Sequence, residues 1–250
     1  MKAFARGASF AFVAFSAVPC FAAGDASDAA GTGTAAPRIP FVAPVVHLGL
    51  LPYGRGQDEN GCSGACTGFA ANDASYQHGV AFGFGAEALF TVLDVLRFGP
   101  SLFYVLPNHV DLDGAKDHFG VGSDLGIDLV MEAAPAVTRT LRLVPRLQGG
   151  ITVLFPGGQL AQDLDAVRAV CPDGASGCDG VTGAHVGFNI GVGVGALYTF
   201  SEHLRFRADL LVQYYTVNLY SVGARLLGNG IDVSERLSGG RSFILLGAEY

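Results

Sequence analysis

The sequence predicts an all-β chain, an eight-stranded antiparallel transmembrane up-and-down β-barrel. Three observations carry that expectation. Apolar residues alternate with glycine, polar and charged residues in one segment after another, which is the period of a strand. The connections between these segments alternate between long and short. Half of the 250 residues are hydrophobic and 36 are glycine, yet no segment beyond the first 22 residues provides the roughly 18 uninterrupted apolar residues of a membrane helix.

The amino terminus sets the compartment. Lys2 and Arg6 precede an uncharged apolar run, Ala8 to Val18, and Cys20 and Ala22 occupy the −3 and −1 positions of a cleavage site. Residues 1–22 are therefore expected to be a secretory signal peptide. The rival is a lipoprotein signal acylated at Cys20, but Pro19 stands where such signals carry a small residue. Residues 23–38, rich in Gly, Ala, Ser, Thr and Asp, are expected to form a flexible periplasmic leader, and 39–250 the barrel. The net charge of −7, with no basic cluster, argues against nucleic acid as a partner.

The strands follow in order. Phe41 to Tyr53 is the first. In Gln77 to Val92, the second, even positions from His78 to Val92 form the outer face, and His78 is placed at its outer rim. Arg97 to Leu106 is the third; Pro44, Pro100 and Pro145 fall near strand starts, where a missing donor matters least. Phe119 to Glu132, the fourth, sets Phe119, Val121, Leu125, Ile127, Leu129 and Met131 against Gly120, Gly122, Asp124, Gly126, Asp128 and Glu132, with Ser123 and Val130 the exception on each face. Acids spaced four apart resemble a helix face, but the alternation makes the segment a strand. Leu141 to Phe155, Gly183 to Phe200 and Leu204 to Asn218 repeat the pattern, and Gly240 to Tyr250 closes the set. Long loops are expected at 54–75, 107–117, 156–182 and 219–239, with short turns at 93–96, 133–140 and 201–203. Trp is absent, so the aromatic girdles fall to Tyr53, Tyr76, Tyr104, Phe155, Tyr198, Phe200 and Tyr214.

Over Phe41 to Tyr250 the chain resembles small eight-stranded outer-membrane barrels of the OmpA transmembrane-domain and OmpW type. The resemblance rests on the strand pattern and on the end, RSFILLGAEY, where Tyr250 stands in the place of a terminal aromatic assembly signal. It implies the outer membrane, with its lipid and lipopolysaccharide, and the barrel-assembly machinery as partners; the long loops, braced by cysteine pairs, suit an unknown extracellular ligand. The OmpW side of the resemblance implies a narrow channel or carrier for small hydrophobic molecules.

The inward charges are the candidate site. Glu87, Asp124, Asp128, Glu132, Asp209 and Glu249 face Arg97, Arg142, Arg146, Arg205, Arg207 and Arg241 in equal number. A balanced narrow lumen predicts a salt-bridged, largely closed plug with a structural or surface-interaction role, because an ion-selective pore shows an excess of one sign. A turn centred near Ala136–Val137 would set Asp128 opposite Arg146 and Glu132 opposite Arg142.

Four cysteines remain after signal removal, Cys62, Cys66, Cys171 and Cys178, and in an exported chain they read as disulfides within or between two surface loops. Zinc is the alternative, but no histidine lies beside either pair. No cofactor and no enzyme activity are expected, and a lipid A-modifying enzyme stands as the third reading behind the plug and the channel. The acids stand beside arginines that would hold them ionised, and none of the six histidines is followed by Ser two residues on, as in lipid A deacylases. Glycine alternation inside strands, as in GVGVG at Gly191–Gly195, does not open a helix as a phosphate loop must. Asp111 to Asp117, DLDGAKD, lacks the ligand spacing of a calcium loop. A soluble lipocalin-like barrel would reverse the placement, apolar inside and polar outside.

Overall fold

The computed structural model describes residues 42–64, 74–93, 95–112, 118–171, 175–226 and 229–250. The expected signal peptide and leader, Cys20, Cys66 and most of the DLDGAKD stretch lie outside the described residues.

The strands are β1 (Val42–Gly64), β2 (Ala74–His78), β3 (Ala81–Leu93), β4 (Leu96–Leu112), β5 (His118–Ala133), β6 (Leu141–Pro156), β7 (His185–Thr199), β8 (Arg205–Leu226) and β9 (Asn229–Glu249). Each pairs antiparallel with its neighbours, and β1 pairs with β9 to close the ring. The ring has eight members, as expected, because β2 continues β3 upward, between β1 and β4. Closure removes every sheet edge, which is what permits strands in lipid.

The belt that faces lipid is apolar. Val46, Leu48, Phe82, Ile127, Leu129, Phe188, Val192, Leu210 and Leu246 are all exposed, while the alternate residues are buried inside. This inside-out arrangement excludes the lipocalin alternative. Tyr53, Phe155 and Tyr214 edge the belt on one side, and Tyr198, Phe200, Phe206 and Tyr250 on the other. Pro44, Pro100 and Pro145 point outward, and Pro52 and Pro107 fall inside two of the register shifts, Leu50/Tyr53 and Val105/Asn108. A bulge leaves a residue unpaired, so a proline there takes no donor from the ladder.

Three expectations are corrected. The regions taken for the first and last long loops are mostly strand: residues 53–64 of β1 pair with 231–242 of β9, and β8 runs with β9 as far as Leu226↔Asn229. Their outer face meets water, so the lipid alternation that marked the other strands is missing there. The second strand is broken at Gly79–Val80, and the break reverses which residues face inward. Tyr76 is thereby buried rather than part of a girdle, and His78 turns into the barrel rather than toward lipid.

The loop after β6 contains a helix, α1 (Gly158–Ala169), on which Leu160, Leu164 and Val167 form one apolar face turned into the barrel mouth. Its start lies against β5 so closely that a Cβ on Gly158 would stand 3.0 Å from the Gly120 Cα. Gly158 and Gly122 also hold φ of 60° and 111°, values that other residues resist.

Candidate functional site

The barrel interior contains two zones, a polar plug and an apolar cup above it. The plug begins with the inward residues of the membrane-spanning strands. Arg146 donates to Glu87 at 2.5 Å, and Glu87 also meets His47 Nε2 at 3.2 Å and accepts from Ser101. Arg146 donates through Nε and Nη2 to Gln148, Gln148 to Asp128, and Asn189 to the other Asp128 oxygen at 2.8 Å. Gln213 donates to Asn189, and Arg241 donates through Nε to Gln213 and through both terminal nitrogens to Asp124 at 2.9 Å. One hydrogen-bonded chain thus crosses the lumen from Glu87 to Asp124.

A second cluster lies nearer the short turns. Glu132 binds Arg97 and, at 2.6 Å, Arg207; Arg207 also holds Asp209 at 2.5 Å, and Glu249 joins Arg97 to Arg205. Ten of the twelve charged residues named from sequence are buried; Arg142 and Arg205 are half-buried. The void left within the upper chain is about 20 Å³, space for one water.

The pairs differ from those that hairpin arithmetic suggested. Glu132 lies opposite Arg146, and Asp128 lies opposite Gly150 and takes its bonds from amides. Arg142 lies opposite Ala136 and donates to the Ala134 carbonyl. The cause is the turn. The ladder continues past Ala133 through the Ala136↔Arg142 bridge, and Val137–Thr140 form the reversal, so its centre moves toward Arg139.

Above the plug, β1, β2, β5, β8 and β9 rise beyond the belt and enclose a cavity of about 240 Å³ roofed by Leu160, Leu164 and Val167 of α1. Val121, Leu154 and Val217 form its walls. Its floor is the top of the plug: Arg241 stacks on the Tyr215 ring at 4.8 Å, and the hydroxyls of Tyr215 and Tyr76 lie 2.7 Å apart. His78 Nε2 sits 2.6 Å from the Tyr215 hydroxyl, and Tyr76 donates to the Ser238 carbonyl at 3.2 Å. Glycines make room for these rings, since a Cβ on Gly54 would meet His78 and one on Gly56 would meet Tyr76 and the Ser238 carbonyl. Sequence reasoning missed this floor because the break before Val80 hides the inward parity of Tyr76 and His78. It missed the roof although Leu160, Leu164 and Val167 keep helical spacing.

At the rim, Glu235 shares hydrogen bonds with Tyr220 and Asp58. Burial raises its carboxyl above the ordinary value, with the Asp163 charge adding to the rise and the two hydrogen bonds opposing it. Cys171 and Cys178 form a disulfide with Cα atoms 6.2 Å apart, which braces the segment between α1 and β7. Cys62 is also disulfide-bonded. Among the described residues no three His, Cys, Asp or Glu side chains group as a metal site.

No family model and no curated protein sequence matches the chain. Among solved structures it is similar to the outer-membrane protein OprG from Pseudomonas aeruginosa, at 13% identity and a TM-score of 0.43 over 84% of this chain and 97% of that one. It is also similar to Neisserial surface protein A, at 13% identity and a TM-score of 0.37 over 83% and 97%. AlkL, solved in lipid bilayers, shares 13% identity at a TM-score of 0.38 over 92% and 96%. The lipid-facing belt, the closed ring and the polar interior together make this chain an eight-stranded barrel of the outer-membrane type.

Proposed function

We propose that the protein is a surface-facing binder of a small, mainly apolar molecule, in a barrel that conducts nothing along its axis. One observation carries the reading: an apolar cavity of about 240 Å³ stands on a polar plug cross-linked by charge-assisted hydrogen bonds. A dry cavity of roughly 150 Å³ suffices for benzene, so this one takes a molecule of two fused rings or similar bulk. The apolar walls supply the affinity, and the tall β1–β9–β8 wall with the disulfide beside α1 keeps the cup formed in its absence.

The test uses the full chain in lipid nanodiscs, with methyl-labelled Leu and Val. Titrated naphthalene is expected to shift Leu160, Leu164, Val167 and Val217 saturably, and Leu164→Trp, which fills the cup, is expected to abolish those shifts. Shifts that never saturate would remove the binding reading. In planar bilayers no steady single-channel steps are expected; their appearance would remove the closed lumen.

A further inference from the structure

The inward acids and arginines balance over the whole lumen but not along its axis. His47 aside, the upper chain holds Glu87, Asp124 and Asp128 against Arg146 and Arg241, three acids to two cations. The cluster nearer the short turns holds Glu132, Asp209 and Glu249 against Arg97, Arg142, Arg205 and Arg207, three acids to four. The positive excess therefore lies at the end of the short turns, which is the periplasmic end in barrels of this type.

Arg142 is the excess cation. It is half-buried, its Nη1 donates to the Ala134 carbonyl at 3.1 Å, and it forms no ion pair among the described residues. Arg205 is tied to Glu249 at 2.6 Å, but its side chain is 33% exposed and that of the glutamate 1%. The cation thus faces the opening, and its carboxylate lies behind it. Arg97 adds field rather than contact, since Nη1 is held by Glu249 and Nε and Nη2 are sealed from water.

These three arginines line one cavity of about 190 Å³, walled otherwise by Thr91, Ala43, Ala134 and Leu197. No carboxylate among the described residues lines it, whereas Asp58, Asp124, Asp163 and Glu235 line the cup at the other end. The space is many times the roughly 10–15 Å³ that one water needs. Arg97, Arg142 and Arg205 come from β4, β6 and β8, so the cations approach from different sides. Guanidinium forks converging in this way suit the several oxygens of a tetrahedral anion better than the single edge of a carboxylate.

We propose that the periplasmic mouth of the barrel binds a phosphate group, held by Arg142 and Arg205 within the field of Arg97. The group belongs to a soluble phosphate or to a phospholipid headgroup of the adjoining leaflet, and the recognising chemistry is the same for both. The site is separate from the cup and does not depend on what fills it.

The test uses the full chain in maltoside micelles, which carry no phosphate, with methyl-labelled Ala and Leu. Inorganic phosphate is expected to shift Ala43, Ala134 and Leu197 saturably, while chloride at the same ionic strength leaves them in place and Leu164 of the cup does not move. Arg142→Gln is expected to weaken phosphate at least about tenfold, the loss of one charge-assisted hydrogen bond. In the unmutated protein labelled with 15N-arginine, two side-chain signals are expected to follow the same saturation curve, a readout that stands even if Arg142→Gln does not fold. Saturation by dihexanoyl phosphatidylglycerol without saturation by inorganic phosphate would assign the group to a headgroup. Equal, unsaturating shifts with phosphate, the lipid and chloride would leave only screened surface charge and overturn the site. Phosphate affinity unchanged by Arg142→Gln would overturn it as well.

Discussion

Arg207→Met tests the plug where it is most enclosed. The guanidinium is fully buried between Glu132 and Asp209, whose side chains are 0% and 1% exposed. The substitution keeps much of the stem's volume and removes two charge-assisted hydrogen bonds, each worth about 1.5–3 kcal/mol. It also leaves two carboxylates without the cation between them. Glu132 retains Arg97, but Asp209 loses the partner that holds it at 2.5 Å. The expected cost lies near the top of the roughly 3–5 kcal/mol typical of breaking a buried pair. Arg146→Ala also destabilises, toward the lower end of that range, because Glu87 keeps His47 and Ser101. Urea unfolding in lipid vesicles, read by the gel shift between folded and boiled protein, measures both. With a slope of about 3 kcal/mol per M, Arg207→Met lowers the midpoint by more than about 1 M. Adding Glu132→Gln and Asp209→Asn to Arg207→Met should restore most of the loss, since the leftover charge is its main source. An Arg207→Met midpoint equal to that of the unmutated protein would refute the plug as a source of stability.

Gly56→Ala places a methyl group against the Tyr76 ring and the Ser238 carbonyl, so it should cost about 1–3 kcal/mol, read as a lower urea midpoint in lipid vesicles. Removing the Cys171–Cys178 bridge by a double serine substitution should cost α1 and its flanks about 2–3 kcal/mol locally, read as faster proteolysis between α1 and β7 with an unchanged barrel midpoint. Burial raises the Glu235 carboxyl above its ordinary 4.5, so the folded rim binds that proton more firmly than the unfolded chain does. The resulting stability is complete below 4.5 and is lost as pH rises through the folded value. Rate-corrected hydrogen exchange along the β8–β9 hairpin should therefore speed up from acid pH toward neutrality, and Glu235→Gln should flatten the profile.

Lipid made parts of this fold readable in advance. Ile127, Leu129 and Met131 alternate with Asp128, Val130 and Glu132 because one side of β5 meets hydrocarbon and the other a narrow interior. Where water replaces lipid, as along Gln57 to Asn60, both faces tolerate polar residues and the strand leaves no periodic trace. Register was hidden for another reason. Whether a hairpin centres on Val137 or Arg139 depends on backbone bonds such as Leu143 N–H to the Pro135 carbonyl, which side-chain patterning does not encode. Asp128 and Arg146 are both inward, as their parity implied, yet each is satisfied by a residue other than the one that arithmetic offered it. The floor of the cup was the least visible feature. Tyr76, His78 and Tyr215 come from distant strands, and a two-residue break decides which way two of them point.

The plug pairs join strands that are far apart in the chain: Arg97 with Glu249 across 152 positions, Arg241 with Asp124 across 117, and Arg207 with Glu132 across 75. A hairpin that has zipped alone satisfies its backbone but presents these side chains unmatched. Any sheet short of the last strand lacks both Arg241 and Glu249, and so leaves Asp124 without its cation and Arg97 with Glu132 alone in the one place where water is scarce. Completion is therefore rewarded all at once. The interior charges act as a check on assembly, penalising a half-built wall in hydrocarbon and releasing that penalty when the first and last strands meet.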